Sequence, residues 1–298
     1  MTKKPQNDTY RIPLDMQIRI PPQHQDTQPG NEQRMCPQPA YDNRNYRAGG
    51  KLNGDIAIVT GGDSGIGRAV ALLFAKEGAD VLITYFTEGG DAEQTKAAIE
   101  SYGKKCVVVK ADLRQENASQ TVMQRCIEEY GKLDILVNNI AVQYPQNSIE
   151  DITQEQLRET FDTNILSCFF MIKAALPHLK SGASIINTAS VTAYHGNKTL
   201  LDYSATKGAL VSLTRSLSLS LIGRGIRVNG VAPGPVWTPL IPSSFSEQEV
   251  ASFGFNVPMG RAAQPFELAP AYVYLACDDS AYMSGQILHV NGGTIVDS

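Results

Sequence analysis

From Lys51 onward, short runs rich in Val, Ile and Leu alternate with longer stretches of helical period. The runs at 55–60, 80–84, 105–110, 134–139, 183–190, 226–232 and 286–292 read as seven strands. Helical stretches begin near Gly65, Ala92, Gln115, Thr153, Tyr203 and Phe266. Such alternation predicts an α/β fold: a doubly wound parallel sheet of seven strands with helices covering both faces. The longest helical stretch, TQEQLRETFDTNILSCFFMIKAALPHL, carries an apolar stripe of Leu157, Phe161, Cys168, Ile172, Ala175 and Leu179. At 100° per residue, Asn164 falls on the edge of that stripe, where a polar amide needs a partner.

Two segments break the alternation. Residues 1–50 hold seven of the sixteen prolines in a Gln- and Asn-rich context with no sustained apolar period, so they cannot build a core alone. They read as an N-terminal extended arm on a single domain spanning 51–298. Tyr10, Ile12, Leu14, Ile18 and Ile20 would let the arm pack on a neighbouring subunit; the alternative is a disordered leader. The second segment, residues 233–263, carries five prolines and the only Trp. It follows a strand end, where α/β sheets bind ligands, and is the expected substrate loop.

Composition narrows the function classes. A net charge of -4 and a pI near 5.6 argue against general affinity for nucleic acid or acidic membranes. No apolar run approaches the roughly 18 residues that cross a bilayer. The five cysteines (Cys36, Cys106, Cys126, Cys168, Cys277) lack CxxC or metal-ligand spacing, so they read as free thiols of a cytoplasmic protein, with no metal expected.

The first strand runs directly into Thr60-Gly61-Gly62-Asp63-Ser64-Gly65-Ile66-Gly67 and a helix. Glycines here permit a tight turn and let a pyrophosphate approach the backbone at the helix N-terminus. Discrimination between NAD and NADP belongs at the end of the second strand, where Thr84, Tyr85 and Phe86 carry no charge. Asp63 would repel a 2′-phosphate if turned toward it, and Arg114 or Lys110 would attract one if they reached, so both cofactors stay open. Farther along, Tyr203 and Lys207 are four residues apart on a helix and share one face. A phenol titrates at about 10, and a neighbouring ammonium would draw it toward neutral pH, giving an acid/base. A second pair, Tyr194 and Lys198, sits around Gly196 in a segment without apolar period, which disfavours a rigid helical face.

Taken together these motifs resemble the short-chain dehydrogenase/reductase family, which implies a Rossmann-type fold. The TGxxxGhG turn is matched at 60–67, YxxxK at Tyr203 and Lys207, and the strand-end serine by Ser190, thirteen residues before Tyr203. The family's NNAG reads Asn138-Asn139-Ile140-Ala141 here, with alanine in place of glycine, and PGxxxT reads Pro233-Gly234-Pro235-Val236-Trp237-Thr238. The resemblance spans 51 to about 293. It implies Asn164, Ser190, Tyr203 and Lys207 as catalytic residues, with Ser190 bonding the substrate oxygen, Lys207 also holding the nicotinamide ribose and Asn164 holding a proton-passing water. It implies NAD or NADP held by Gly61, Asp63, Ser64, Gly65, Ile66, Gly67, Tyr85, Asp112, Leu113, Asn138, Pro233, Gly234, Val236 and Thr238 as well as by Tyr203 and Lys207. Asp112 and Leu113 would border the adenine.

The chain looks like a bacterial subgroup with N-terminal extensions, related to glucose and ribitol dehydrogenases, and the family implies a homo-oligomer, tetramer or dimer. The expected reaction is hydride transfer to or from a small carbonyl or alcohol: a sugar, polyol or aldehyde. Gln143, Tyr144, Thr192, His195, Asn197, Trp237 and Phe255 are candidate pocket residues. A 3-oxoacyl thioester reductase and a catalytically silent nucleotide sensor are the alternatives. An enoyl reductase is disfavoured, since that branch spaces Tyr and Lys farther apart and position 210 is Leu.

Overall fold

The structure, a computed structural model, describes residues 20–296; Tyr10, Ile12, Leu14 and Ile18 lie outside the described residues. In chain order the main elements are β1 (Ile56–Val59), α1 (Gly65–Lys76), β2 (Asp80–Tyr85), α2 (Gly89–Glu100), β3 (Cys106–Lys110), α3 (Glu116–Tyr130) and β4 (Leu133–Asn138). There follow α4 (Gln154–Phe161), α5 (Ser167–Ala175), β5 (Leu179–Thr188), the single turn α6 (Thr192–His195), α7 (Leu201–Leu221) and β6 (Arg227–Pro233). The short α8 (Glu247–Ala251), α9 (Pro265–Ala276) and β7 (Ile287–Val290) complete the order.

All seven expected strands form, in one parallel sheet ordered β3-β2-β1-β4-β5-β6-β7. Their continuous apolar runs are explained by burial on both faces. From β1, Ala57 and Val59 enter the core shared with α1 and α9, while Ile56 and Ile58 enter the core shared with α3, α5 and α7. The strand order reverses direction between β1 and β4, and that switch point opens a crevice at the carboxyl ends of the strands.

The long expected helix at 153–179 is not continuous. A π-turn at Asp162–Leu166 separates α4 from α5, and the extra residue shifts the apolar phase, so Leu157 of the predicted stripe is exposed. The helix stops at Ala175, and Leu179 instead begins β5, pairing with Leu133 across a register irregularity. Helical periodicity could not show this, because an inserted residue changes the period only locally.

Of the arm's apolar set, Ile20 is the one member that is described, and its partners belong to the same chain. Ile20 and Met35 pack within the same chain against Trp237, Ile241, Val250 and Ala262 of the 233–263 segment. Trp237 is fully buried there, and its indole N–H donates to the Pro37 carbonyl at 2.9 Å. The arm then continues onto α9, where Ala40 N–H donates to the Gln264 side chain and Phe266 N–H to the Ala40 carbonyl. Trp237→Ala should therefore cost about 3–5 kcal/mol, the usual range for emptying a large aromatic site, measured by urea unfolding. A loss below about 1 kcal/mol would show that this small core contributes little.

Candidate active site

The turn between β1 and α1 is built by close approach. A Cβ on Gly67 would stand 1.9 Å from the Gly61 carbonyl oxygen, so no other residue fits without moving the turn. Gly61 and Gly65 have φ of +62° and +52°, which disfavours any side chain there. The end of β2 steadies the turn: Gly61 N–H donates to the Thr84 hydroxyl and Gly62 N–H to the Thr84 carbonyl. Asn139 secures it from β4, its amide donating to the carbonyls of Thr60 and Gly61. At the start of α1, Gly65 N–H donates to Glu32 of the arm at 2.7 Å, which leaves the Ile66 and Gly67 N–H groups without an acceptor among the described residues. A glycine cradle with free amides at a helix N-terminus fits a dinucleotide pyrophosphate.

That turn lies in a cleft of about 830 Å³. Ser190, Tyr203 and Lys207 line it, and so do Gly61, Asp63, Ser64, Gly65, Ile66, Tyr85, Asp112, Leu113, Pro233, Gly234, Val236 and Thr238. Three expected site residues do not. Gly67 is consumed by the close approach itself. Asn138 lies behind the wall, its amide donating to Asn187 at 3.0 Å. Asn164, at the π-turn, accepts from Val142 N–H and donates to the Val142 carbonyl and the Thr206 hydroxyl. Both asparagines border a separate cavity of about 10 Å³, about the least space that holds one water. Ala141, where the family has glycine, lines the main cleft without needing left-handed backbone.

Of the candidate pocket residues, Gln143, Thr192, His195 and Asn197 line the cleft, whereas Tyr144, Trp237 and Phe255 do not. Trp237 serves the arm contact, and Phe255 faces solvent. Tyr194 packs edge-on against His289, and the helix carrying it ends at Gly196, so Lys198 shares no helical face with it. Arg114 is held by Asp112 through two contacts of 2.8 Å and stacks over Phe86, while Lys110 stays outside the cleft. The guanidinium holds the Asp112 carboxyl below its usual range.

Tyr203 and Lys207 are both buried on α7, with the ammonium 5.5 Å from the ring centre and donating to the Thr188 carbonyl at 2.8 Å. The expected lowering of the phenol by the ammonium is not what the site shows. Burial pushes Tyr203 up to about 12, and contact with the Ser190 hydroxyl pulls it only partly back. Burial also pushes Lys207 down to about 8. Desolvation wins because neither charged form has enough solvent around it, and among the described residues no carboxylate stands beside the ammonium. Asp63 follows the same rule, with burial pushing its carboxyl up to about 7.

Sequence reasoning missed Glu32 and Gln28. Both lie in the arm, where a polar run without period offers no signal. Glu32 is buried, paired with Arg68 at 2.6 Å, and Gln28 lines the cleft beside Gln143.

A family model of the short-chain dehydrogenases/reductases, described as enoyl-(acyl carrier protein) reductase, matches residues 61–294. The chain belongs to the short-chain dehydrogenase/reductase family. It is 52% identical to the glucose and ribitol dehydrogenase of Daucus carota, over 94% of this chain and 98% of that protein. It is 49% identical to NADPH-dependent aldehyde reductase 1, chloroplastic, of Arabidopsis thaliana, over 93% and 98%. A short-chain dehydrogenase from Burkholderia cenocepacia J2315, solved in complex with NADP, superposes with a TM-score of 0.75 at 30% identity, covering 82% of this chain and 98% of that one. This short-chain dehydrogenase/reductase is an oxidoreductase that uses NAD(P) and acts on a small-molecule alcohol or carbonyl group. A match over 94% of the chain includes most of the first 50 residues, so the likeness extends into the arm. Among the described residues no helix is long and apolar enough to cross a membrane.

Gly67→Val should weaken NADPH and NADH binding by roughly a hundredfold, about 3 kcal/mol, in a nucleotide fluorescence titration. Unchanged affinity would mean that the turn does not hold the dinucleotide.

Proposed function

We propose that this enzyme interconverts a small hydroxylated or simple carbonyl compound, a sugar, polyol or aldehyde, with its alcohol, using Tyr203 as acid/base. The observation that carries this reading is the convergence of Ser190, Tyr203 and Lys207 on the same cleft as the glycine turn. Polar Gln143, Thr192, His195 and Asn197 on the wall suit a hydroxylated substrate. The names of the carrot and Arabidopsis relatives point to the same substrate classes. An enoyl reductase, the activity in the family model's description, is not favoured, because here Tyr and Lys stand one turn apart on α7.

A nicotinamide held in this cleft would supply the hydride for the new C–H bond. Ser190 donates a hydrogen bond to the carbonyl oxygen, and the Tyr203 phenol gives that oxygen its proton as negative charge develops there. A phenol near 12 is still a stronger acid than an aliphatic alcohol, so the proton moves downhill to an alkoxide. The phenolate left behind is stabilised by Lys207. In the oxidative direction the same proton returns to Tyr203. Asn164 buttresses the β4 loop through Val142 and α7 through Thr206, and its role in holding a proton-passing water belongs to this proposal. The cofactor contacts expected of Gly61, Asp63, Ser64, Gly65, Ile66, Gly67, Tyr85, Asp112, Leu113, Asn138, Tyr203, Lys207, Pro233, Gly234, Val236 and Thr238 belong to this proposal, Gly67 through closure of the turn and Asn138 through support of the wall only.

The same reading takes residues 1–50 as an arm, 51–298 as the catalytic domain and 233–263 as its substrate loop. It places the protein in the cytoplasm as a homotetramer or dimer. Five free thiols suit a reducing compartment, and exposed Leu157, Leu166 and Phe169 along α4 and α5 offer an apolar face for a second copy.

Screening sugars, polyols and aldehydes with both NAD(H) and NADP(H), followed by nicotinamide absorbance, should find turnover in one of these classes; activity confined to enoyl or 3-oxoacyl thioesters would overturn the reading. Tyr203→Phe should lose roughly 10²–10⁴-fold in kcat while nucleotide affinity stays within about twofold. Because the Lys207 ammonium exists below about 8, reduction should hold its rate up to that pH and fall about tenfold per unit above it. A rate flat to pH 10 would remove Lys207 from the step.

A further inference from the structure

The arm does more than cover the 233–263 segment, the lid of the cleft. Its residues 28–30 line the cleft, and the segment 28–32 touches three of its walls. On the β4 side, the Gln28 side chain donates to the Gln143 carbonyl at 2.6 Å and accepts from Gln143 N–H at 3.2 Å, a two-point bond to backbone. On the lid side, Gly30 is pressed so close that a Cβ would stand 2.4 Å from the Pro239 carbonyl oxygen. At the glycine turn, the Glu32 carboxylate accepts from Gly65 N–H at 2.7 Å and pairs with Arg68 at 2.6 Å, while Glu32 N–H donates to Asp91 at 2.9 Å. Glu32, Arg68 and Asp91 are all buried, so the anchor is desolvated and hard to break. Gln28 is only partly buried, and its two bonds are neutral. The segment therefore has a firm end at Glu32 and a weak one at Gln28.

We propose that residues 28–32 form a strap over the dinucleotide half of the cleft, anchored at Glu32 and latched by Gln28 on Gln143, so that the cofactor enters and leaves when the latch opens. Gln28, Pro29 and Gly30 line the cleft together with Ser64 and Gly65 of the turn, and Glu32 bonds Gly65, which puts the end of the strap beside the turn that would hold the pyrophosphate. Glu32 is a positioning residue: it occupies the Gly65 amide at the α1 N-terminus and leaves the next one, that of Ile66, to the ligand. The strap rests on the reading of that turn as the dinucleotide site.

The test uses the full-length enzyme and stopped-flow fluorescence of NADPH and NADH, once in binding and once in displacement by excess oxidised nucleotide. Gln28→Ala, which deletes the latch, and Gly30→Val, which unseats the strap from Pro239, should each raise both association and dissociation rates by roughly tenfold or more. The ratio of the two rates should shift less than either rate, since a gate changes speed more than affinity. Thermal unfolding identifies which variants are folded, and one folded variant decides. If both rates stay within twofold of wild type, or if only dissociation rises and affinity falls in proportion, the strap is a static wall and the proposal is wrong. If neither nucleotide binds the wild-type protein, the dinucleotide reading itself fails and the strap with it.

Discussion

The approach of α1 to the end of β1, where Gly67 leaves no room for a side chain against the Gly61 carbonyl, sets the geometry of everything above it. The helix can start that close only because Gly61 and Gly67 bring no side chain to the point of contact, which leaves the Ile66 amide of the first turn available at the crevice. Three further segments are tied to this point: β2 through Thr84, β4 through Asn139 and the arm through Glu32. Loosening the turn would disturb the cleft floor, the β4 wall and the strap together. Thr238 of the lid packs on Gly65 as well, at 3.1 Å from where a Cβ would stand.

The second governing constraint is desolvation. Tyr203 and Lys207 are placed in an interior where charge is expensive, and the fold accepts an ammonium there with no carboxylate of the described residues beside it. Such a group does not favour the folded state, because its charged form is better solvated in the unfolded chain. Its presence is explained by chemistry rather than by stability. With the phenol kept protonated and the ammonium still charged at neutral pH, the pair is arranged as a proton donor and a stabiliser of what the donor becomes. The arm's carboxylate meets the same penalty: burial pushes Glu32 up, and Arg68 and the Gly65 N–H offset that only in part, yet these partners still tie down a segment whose own composition could not fold.

Much of this was legible in the sequence, for identifiable reasons. Strands buried on both faces read as uninterrupted apolar runs, so all seven were found. The pair Tyr203 and Lys207 was readable because helical spacing fixes which residues share a face. Periodicity gave no warning of the π-turn at 162–166, since one inserted residue changes the period only locally and each side still reads as helix. The shift of Tyr203 was misread because spacing reports proximity and not solvent, and here solvent decides. Glu32 and Gln28 were invisible because a segment that folds only against another surface needs no internal pattern; its partners at Arg68 and Gln143 are distant in sequence. Gly67 was named correctly but for an incomplete reason, as its role is to let the turn close rather than to touch a ligand.

The claim at the centre is that burial makes Tyr203 a protonated acid beside a lysine of lowered basicity. It is tested most directly by NMR titration of the free enzyme, with ¹³Cζ-labelled tyrosine and ¹⁵Nζ-labelled lysine, assigning the two resonances with Tyr203→Phe and Lys207→Arg. The account predicts that Lys207 loses its proton near 8 while Tyr203 shows no ionisation up to pH 10. A Tyr203 resonance that titrates near neutral pH, beside a Lys207 that stays charged beyond pH 10, would contradict it.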